Sequence, residues 1–100
     1  VVGLVGSEMC IRDRLLPCTR AEVGNALDAL RSAPLLHGYR GRPRGDIDAT
    51  IDAIMAIQDF AVNNADSLVE LDVNPLLVGA EGNGVYAADA LIVLQEQVNV

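Results

Sequence analysis

The sequence has no lysine, no tryptophan, one phenylalanine, two tyrosines and one histidine. Without lysine there is no amine for a Schiff base and no ammonium to grip a phosphate, so any cationic contact must come from the seven arginines. With so few rings, the core has to be aliphatic, and a hydrophobic fraction of 51% supplies enough Leu, Val, Ile and Ala to build one. A net charge of −7 excludes the basic footprint of a nucleic-acid binder and the polybasic patch of a membrane-surface protein. No apolar run approaches the roughly 18 residues that span a bilayer. VVGLV at the start is too short, and no basic stretch precedes it. No nucleic-acid partner and no membrane partner are therefore expected. Cysteine is scarce too. Cys10 and Cys18 match neither a metal-ligand nor a redox spacing, and read as reduced thiols of a cytoplasmic protein, with a disulfide between them as the alternative.

A chain of 100 residues allows one small domain or a piece of a larger one. It begins with Val rather than Met and reads as a fragment. Residues 1–14 show neither a helical nor a strand period, and GLVGSEMCIRDR resembles a translated sequencing-adapter junction. They are set aside as non-native, with a native VVGLV strand as the alternative. Residues 15–100 are taken as the folding unit.

Thr19-Arg-Ala-Glu22 forms a capping box, and Val23, Leu27 and Leu30 follow at helical spacing. A helix is predicted over 20–32, ending ahead of Pro34. APLLHGYRGRPRG, residues 33–45, is punctuated by Gly and Pro and reads as a loop. Asp46 and Asp48 suit a helix N-terminus. Ile47, Ile51, Ile54, Met55 and Val62, widened by Ile57 and Phe60, give the next helix an apolar face over 46–63. SLVELDV alternates as a strand. Val69, Leu71 and Val73 should face a core, while Leu68, Glu70, Asp72 and Asn74 share the other side. Pro75 interrupts pairing, GAEGNG is a turn, and VYAADALIVL reads as a returning strand that could become helical near its end.

Such a hairpin brings Asp89 back toward Asp72 and Asn74. Two carboxylates and an amide oxygen form a hard-oxygen set of the kind Mg²⁺ prefers, with the rest of its shell taken from water and phosphates. The same residues also suit a solvated strand end with an Asn-Pro turn. Patterning alone leaves both readings open.

The order and spacing of the motifs carry further. A TRAEV helix start, LRSAPLLHGYRGRP, an acidic helix, ELDVNPLLV and then ADALIVL together resemble the ATP-grasp domain of NDP-forming acyl-CoA synthetases, relatives of the succinyl-CoA synthetase β subunit, over about residues 15 to 94. The resemblance implies an α+β fold, two helices on a small, mainly antiparallel sheet, forming the C-terminal half of an ATP-grasp domain. It implies that Asn74 and Asp89 bind the Mg²⁺ of ATP or ADP, with Asp72 in support, and that Arg40, inside the G-x-R-G element, contacts nucleotide. The implied parent is an acid–CoA ligase. It interconverts acyl-CoA, ADP and phosphate with acid, CoA and ATP through an acyl phosphate and a phosphohistidine, with CoA bound elsewhere. Its partners are the nucleotide and the remainder of the synthetase, and the fragment alone should be inactive. Two other parents fit: a fused protein acetyltransferase with a synthetase-like region, and an ATP-grasp-like binding module without catalysis. The family often has Arg or Lys where this chain has Leu91. None of the relay motif surrounds His37, which reads as structural or solvated. Arg40, Arg42 and Arg44 meet either phosphates or the acids that open the second helix. Glu70 reads as exposed.

Overall fold

The computed structural model describes residues 2–4, 18–30, 33–38, 41, 43–73 and 75–95. Cys10, Arg40, Arg42 and Asn74 fall outside these residues.

The capping box closes as its spacing dictates. The Glu22 amide donates to Thr19 Oγ1 at 3.2 Å, and the Thr19 amide donates to Glu22 Oε1 at 3.1 Å. These bonds start α1 (Arg20–Asp28), which buries Val23 and Leu27. It stops short of the predicted end because the backbone tightens: the Leu30 amide donates to Leu27 O, and the Ala33 amide to Leu30 O. The predicted loop contains a one-turn helix, α2 (Ala33–Leu36). Pro34 is tolerated there because the first turn leaves its amides unused. Gly38, at φ 90°, follows its end, a left-handed position that suits Gly.

The long helix α3 (Ile47–Asn63) buries Thr50, Ile54 and Gln58, one residue per turn along a single stripe. Ile47, Ile51 and Met55 pack beside them at the core, whereas Val62, expected on this face, is exposed. Two of the three deepest positions are therefore polar, and both are satisfied. Thr50 Oγ1 donates to Asp46 O at 2.8 Å. Gln58 clasps the Cys18 backbone, accepting from its amide at 2.6 Å and donating to its carbonyl at 2.9 Å. That pair of bonds fixes the approach to α1 against α3, and the exposed ion pair Arg20–Asp52 adds a second tie.

The strands are β1 (Val2–Leu4), β2 (Leu68–Val73), β3 (Leu76–Val78), β4 (Val85–Ala87) and β5 (Ala90–Leu94). All pairing is antiparallel, in a three-stranded sheet ordered β1-β3-β4 and a separate β2-β5 ribbon. The single returning strand predicted for VYAADALIVL is thus two strands, and no helix forms at its end. β4 pairs with β3 and β5 with β2, so one hairpin is nested inside another. β1 comes from the fourteen residues set aside above, registering Val2 with Val78 and Leu4 with Leu76.

The register of the β2-β5 ribbon slips between Leu68 and Glu70. Val69 is the extra residue of this bulge and is 65% exposed, although alternation assigned it to the core. Leu71 and Val73 keep the expected side. The core joins Cys18, Val23, Leu27, Leu36, Ile54, Leu76 and Val78. The architecture is α+β, with three helices among the described residues where two were expected.

Candidate functional site

Two of the residues singled out for chemistry, Asp72 and Asp89, lie where the two sheets meet. In the β2-β5 ribbon, Asp72 stands opposite Leu91, and Val73 opposite Ala90. Two residues beyond the ribbon on each strand, the Ala88 amide donates to Pro75 O at 3.0 Å. The segments 73–75 and 88–90 are therefore tied at both ends, by Val73 with Ala90 and by Pro75 with Ala88. Asp89 sits between these ties on its segment.

Asp72 and Asp89 are exposed. Neither carboxylate takes part in a hydrogen bond or ion pair among the described residues. Asp72 is diagonal to Asp89 across the ribbon, a spacing of about 7–8 Å between backbones that two aspartates can close upon one ion. Among the described residues no three His, Cys, Asp or Glu side chains gather into a metal cage. The donor chemistry fits a cation held by one or two carboxylates and completed by water and phosphate oxygens, the usual arrangement for Mg²⁺. It does not fit an all-protein site. Glu70 is exposed, as expected, and pairs with Val93 further along the ribbon.

A second cluster lies at the tip of the inner hairpin. Asp46 caps α3 by accepting from the Ala49 amide at 3.1 Å. Its other oxygen accepts from the amides of Gly84 at 2.8 Å and Gly82 at 3.1 Å. The bond from Ala49 and then that from Gly84 hold this carboxyl below the usual aspartate range against an opposing effect of burial, and the bond from Gly82 adds a lesser share. Gly82 and Gly84, at φ 87° and 78°, adopt the left-handed geometry that presents those amides to one acceptor. The backbone joins the same contact: the Asp46 amide donates to Gly79 O and the Glu81 amide to Arg44 O, while Gly45 bridges Ala80. The sequence marks Asp46 as a helix cap and residues 79–84 as a turn, but gives no signal that the two meet.

Arg44 reaches Glu81 of this turn at 4.0 Å, not the acids that open α3. His37 lies in an exposed pair with Asp28, Nε2 to Oδ1 at 2.9 Å, away from the strand junction. The opposite side of the ribbon is apolar. Ala53, Ala56, Ile57 and Phe60 of α3 and Leu71, Val73, Ala90 and Ile92 of the ribbon line a groove of about 420 Å³. With no charged side chain in its lining, the groove has nothing to hold a phosphate. Ile92 and Tyr86 at its rim remain 49% and 61% exposed. No helix among the described residues is long and apolar enough to cross a membrane.

The ATP-grasp domain family matches residues 3–94. The β subunit of the ADP-forming acetate–CoA ligase II of Pyrococcus furiosus is 29% identical over 82 residues, covering 82% of this chain and 35% of that subunit. The ADP-forming acetate–CoA ligase II of Archaeoglobus fulgidus is 38% identical over 84 residues, covering 84% of this chain and 12% of that protein. Among solved structures, the dinucleotide-forming acetyl-coenzyme A synthetase 1 of Ca. Korarchaeum cryptofilum, in complex with coenzyme A and Mg-AMPPCP, superimposes with a TM-score of 0.75 at 28% identity. That match covers 95% of this chain and 44% of the solved one. The chain thus spans about a third of the Pyrococcus subunit and about an eighth of the Archaeoglobus ligase. Motif order, α+β architecture and these matches agree: the chain belongs to the ATP-grasp domain family, as part of the ATP-grasp domain found in ADP-forming acyl-CoA synthetases.

Proposed function

We propose that this chain forms one wall of a Mg²⁺–nucleotide site in an ADP-forming acid–CoA ligase. Asn74 and Asp89 would be the metal ligands, with Asp72 in support. The double tie supports the reading: Val73 with Ala90 and Pro75 with Ala88 bracket Asp89, and Asn74 lies between Val73 and Pro75 in the sequence. Exposed, uncommitted carboxylates at that junction supply the hard oxygens, and bound Mg²⁺ would offset the charge of the phosphates during transfer. The Mg-AMPPCP in the Korarchaeum complex is of the same ligand class. Arg40 is the candidate cationic contact to the nucleotide.

The remainder of the synthetase is the expected partner, and the apolar groove beneath the ribbon is the surface it would cover. An uncovered aliphatic groove beside a two-stranded ribbon does not suit a unit that works alone. The test is to make Asn74→Ala and Asp89→Ala in the longer polypeptide that carries this segment, and to measure acyl-CoA formation with ADP or ATP at several Mg²⁺ concentrations. Loss of turnover, partly recovered at high Mg²⁺ for the single variants, is expected. Unchanged turnover in both variants would end the metal-wall reading.

A further inference from the structure

Asp46 collects three backbone amides on one carboxylate, one from its own helix and two from a turn 36 and 38 residues away. Capping α3 needs only the first. The other two join the start of α3 to the tip of the β3-β4 hairpin. From that tip the chain runs through β4, registered to β3 from Val85 with Val78 to Ala87 with Leu76, straight to Ala88 and its bond to Pro75. Asp89 is the next residue. Among the described residues neither Asp72 nor Asp89 bonds to Asp46, and the paired strand is the route that joins them.

We infer that Asp46 is a positioning residue: it anchors the inner hairpin to α3 and thereby fixes where Asp89 meets the segment around Pro75. The tether itself is a matter of geometry. Its link to Mg²⁺ rests on the function proposed above. Charge makes the tether effective, because an ionised carboxylate accepts several amide bonds at once, each stronger than a neutral counterpart. Loss of the charge leaves the Gly82 and Gly84 amides facing a poorer acceptor, while the helix can still be capped by a shorter oxygen.

Two substitutions in the 100-residue chain separate the roles. Asp46→Ser keeps an N-cap oxygen for Ala49 but is too short to serve the turn as well. Asp46→Asn keeps the size and turns an amide donor toward two amide donors. Amide exchange by NMR should accelerate roughly tenfold at Gly82, Gly84 and Ala88 in both variants, with Val23, Leu27 and the middle of α3 unchanged. In parallel, titration with Mg²⁺ alone should shift the Asp89 amide in the unsubstituted chain, and at several-fold higher concentration in Asp46→Ser. Faster exchange confined to Gly82 and Gly84, with Ala88 still protected, would overturn the inference. So would acceleration spread evenly over α1 and α3, which would make Asp46 a residue of general stability. The exchange at Ala88 decides for or against the tether whatever the Mg²⁺ titration shows, while the metal-wall reading stands or falls with the Asn74→Ala and Asp89→Ala variants of the longer polypeptide.

Discussion

Replacing Gln58 by Met tests how far one buried amide holds the helices together. Gln58 is 5% exposed and Cys18 6%. The Gln58 amide gives the Cys18 backbone both an acceptor, at 2.6 Å, and a donor, at 2.9 Å. Met has nearly the same length and shape, so little cavity is created. It removes both of these bonds from a buried site. Each lost bond of this kind costs about 1–3 kcal/mol, and the two belong to one residue, so the expected loss is about 2–4 kcal/mol. A domain of this size has only about 5–15 kcal/mol in total. At about 4–8 °C per kcal/mol, a loss of about 3 kcal/mol lowers Tm by roughly 10–25 °C. Urea unfolding followed by far-UV circular dichroism gives the free energy directly, and an unchanged urea slope would show that the compactness of the unfolded state is the same. Gln58→Glu should be at least as damaging near neutral pH, because its carboxylate cannot donate to the Cys18 carbonyl. A loss below about 1 kcal/mol for Gln58→Met would refute the reasoning, since two buried hydrogen bonds cannot be given up so cheaply.

Gly45→Ala should cost about 1–3 kcal/mol, because its new Cβ would lie 3.1 Å from Val78 Cγ1 and 3.3 Å from Leu36 Cδ2, two side chains with nowhere to move; an unchanged Tm would contradict this. Asp46 predicts an acid limb. Its folded pKa is lowered by the amides of Ala49, Gly84 and Gly82. The stability it adds is therefore complete above the ordinary aspartate value of about 3.9 and is lost as pH falls through the lower folded value. In a pH series of Tm, Asp46→Asn should flatten that fall below about pH 4, and a fall as steep as in the parent chain would count against the tether. Leu91→Arg puts a cation opposite Asp72 across the ribbon. It should raise stability by about 0.2–1 kcal/mol, an increment that shrinks with added salt; a salt-independent change would point to packing instead.

Periodicity and caps made most of the skeleton legible. The capping box at Thr19 and Glu22 and the acid at Asp46 placed both long helices within a few residues, because those bonds are local. The strand at 68–73 was equally clear. What escaped detection depends on partners distant in sequence. Thr50 and Gln58 look like breaks in an apolar stripe until their partners are known. The exposure of Val69 follows from a register slip that only the pairing with β5 reveals. At the candidate site, the convergence of Asp72 and Asp89 on one junction could be anticipated from a hairpin. The tie between Pro75 and Ala88, and the hold of Asp46 on the distant turn, could not.

The nesting of one hairpin inside the other also sets an order of assembly. β2 and β5 are separated by the whole of β3, the turn and β4, so pairing them first would close a long, floppy loop at a high entropic cost. Once β3 and β4 have zipped from the glycine turn, most of that loop has already been reeled in, and the ribbon can continue outward past Pro75 and Ala88 with little further loss. The turn at 79–84 is therefore a starting point for folding as well as an anchor of the finished chain. A lesion there, such as an alanine at Gly79, whose Cβ would lie 2.9 Å from Gly84 O, should slow formation of both sheets together.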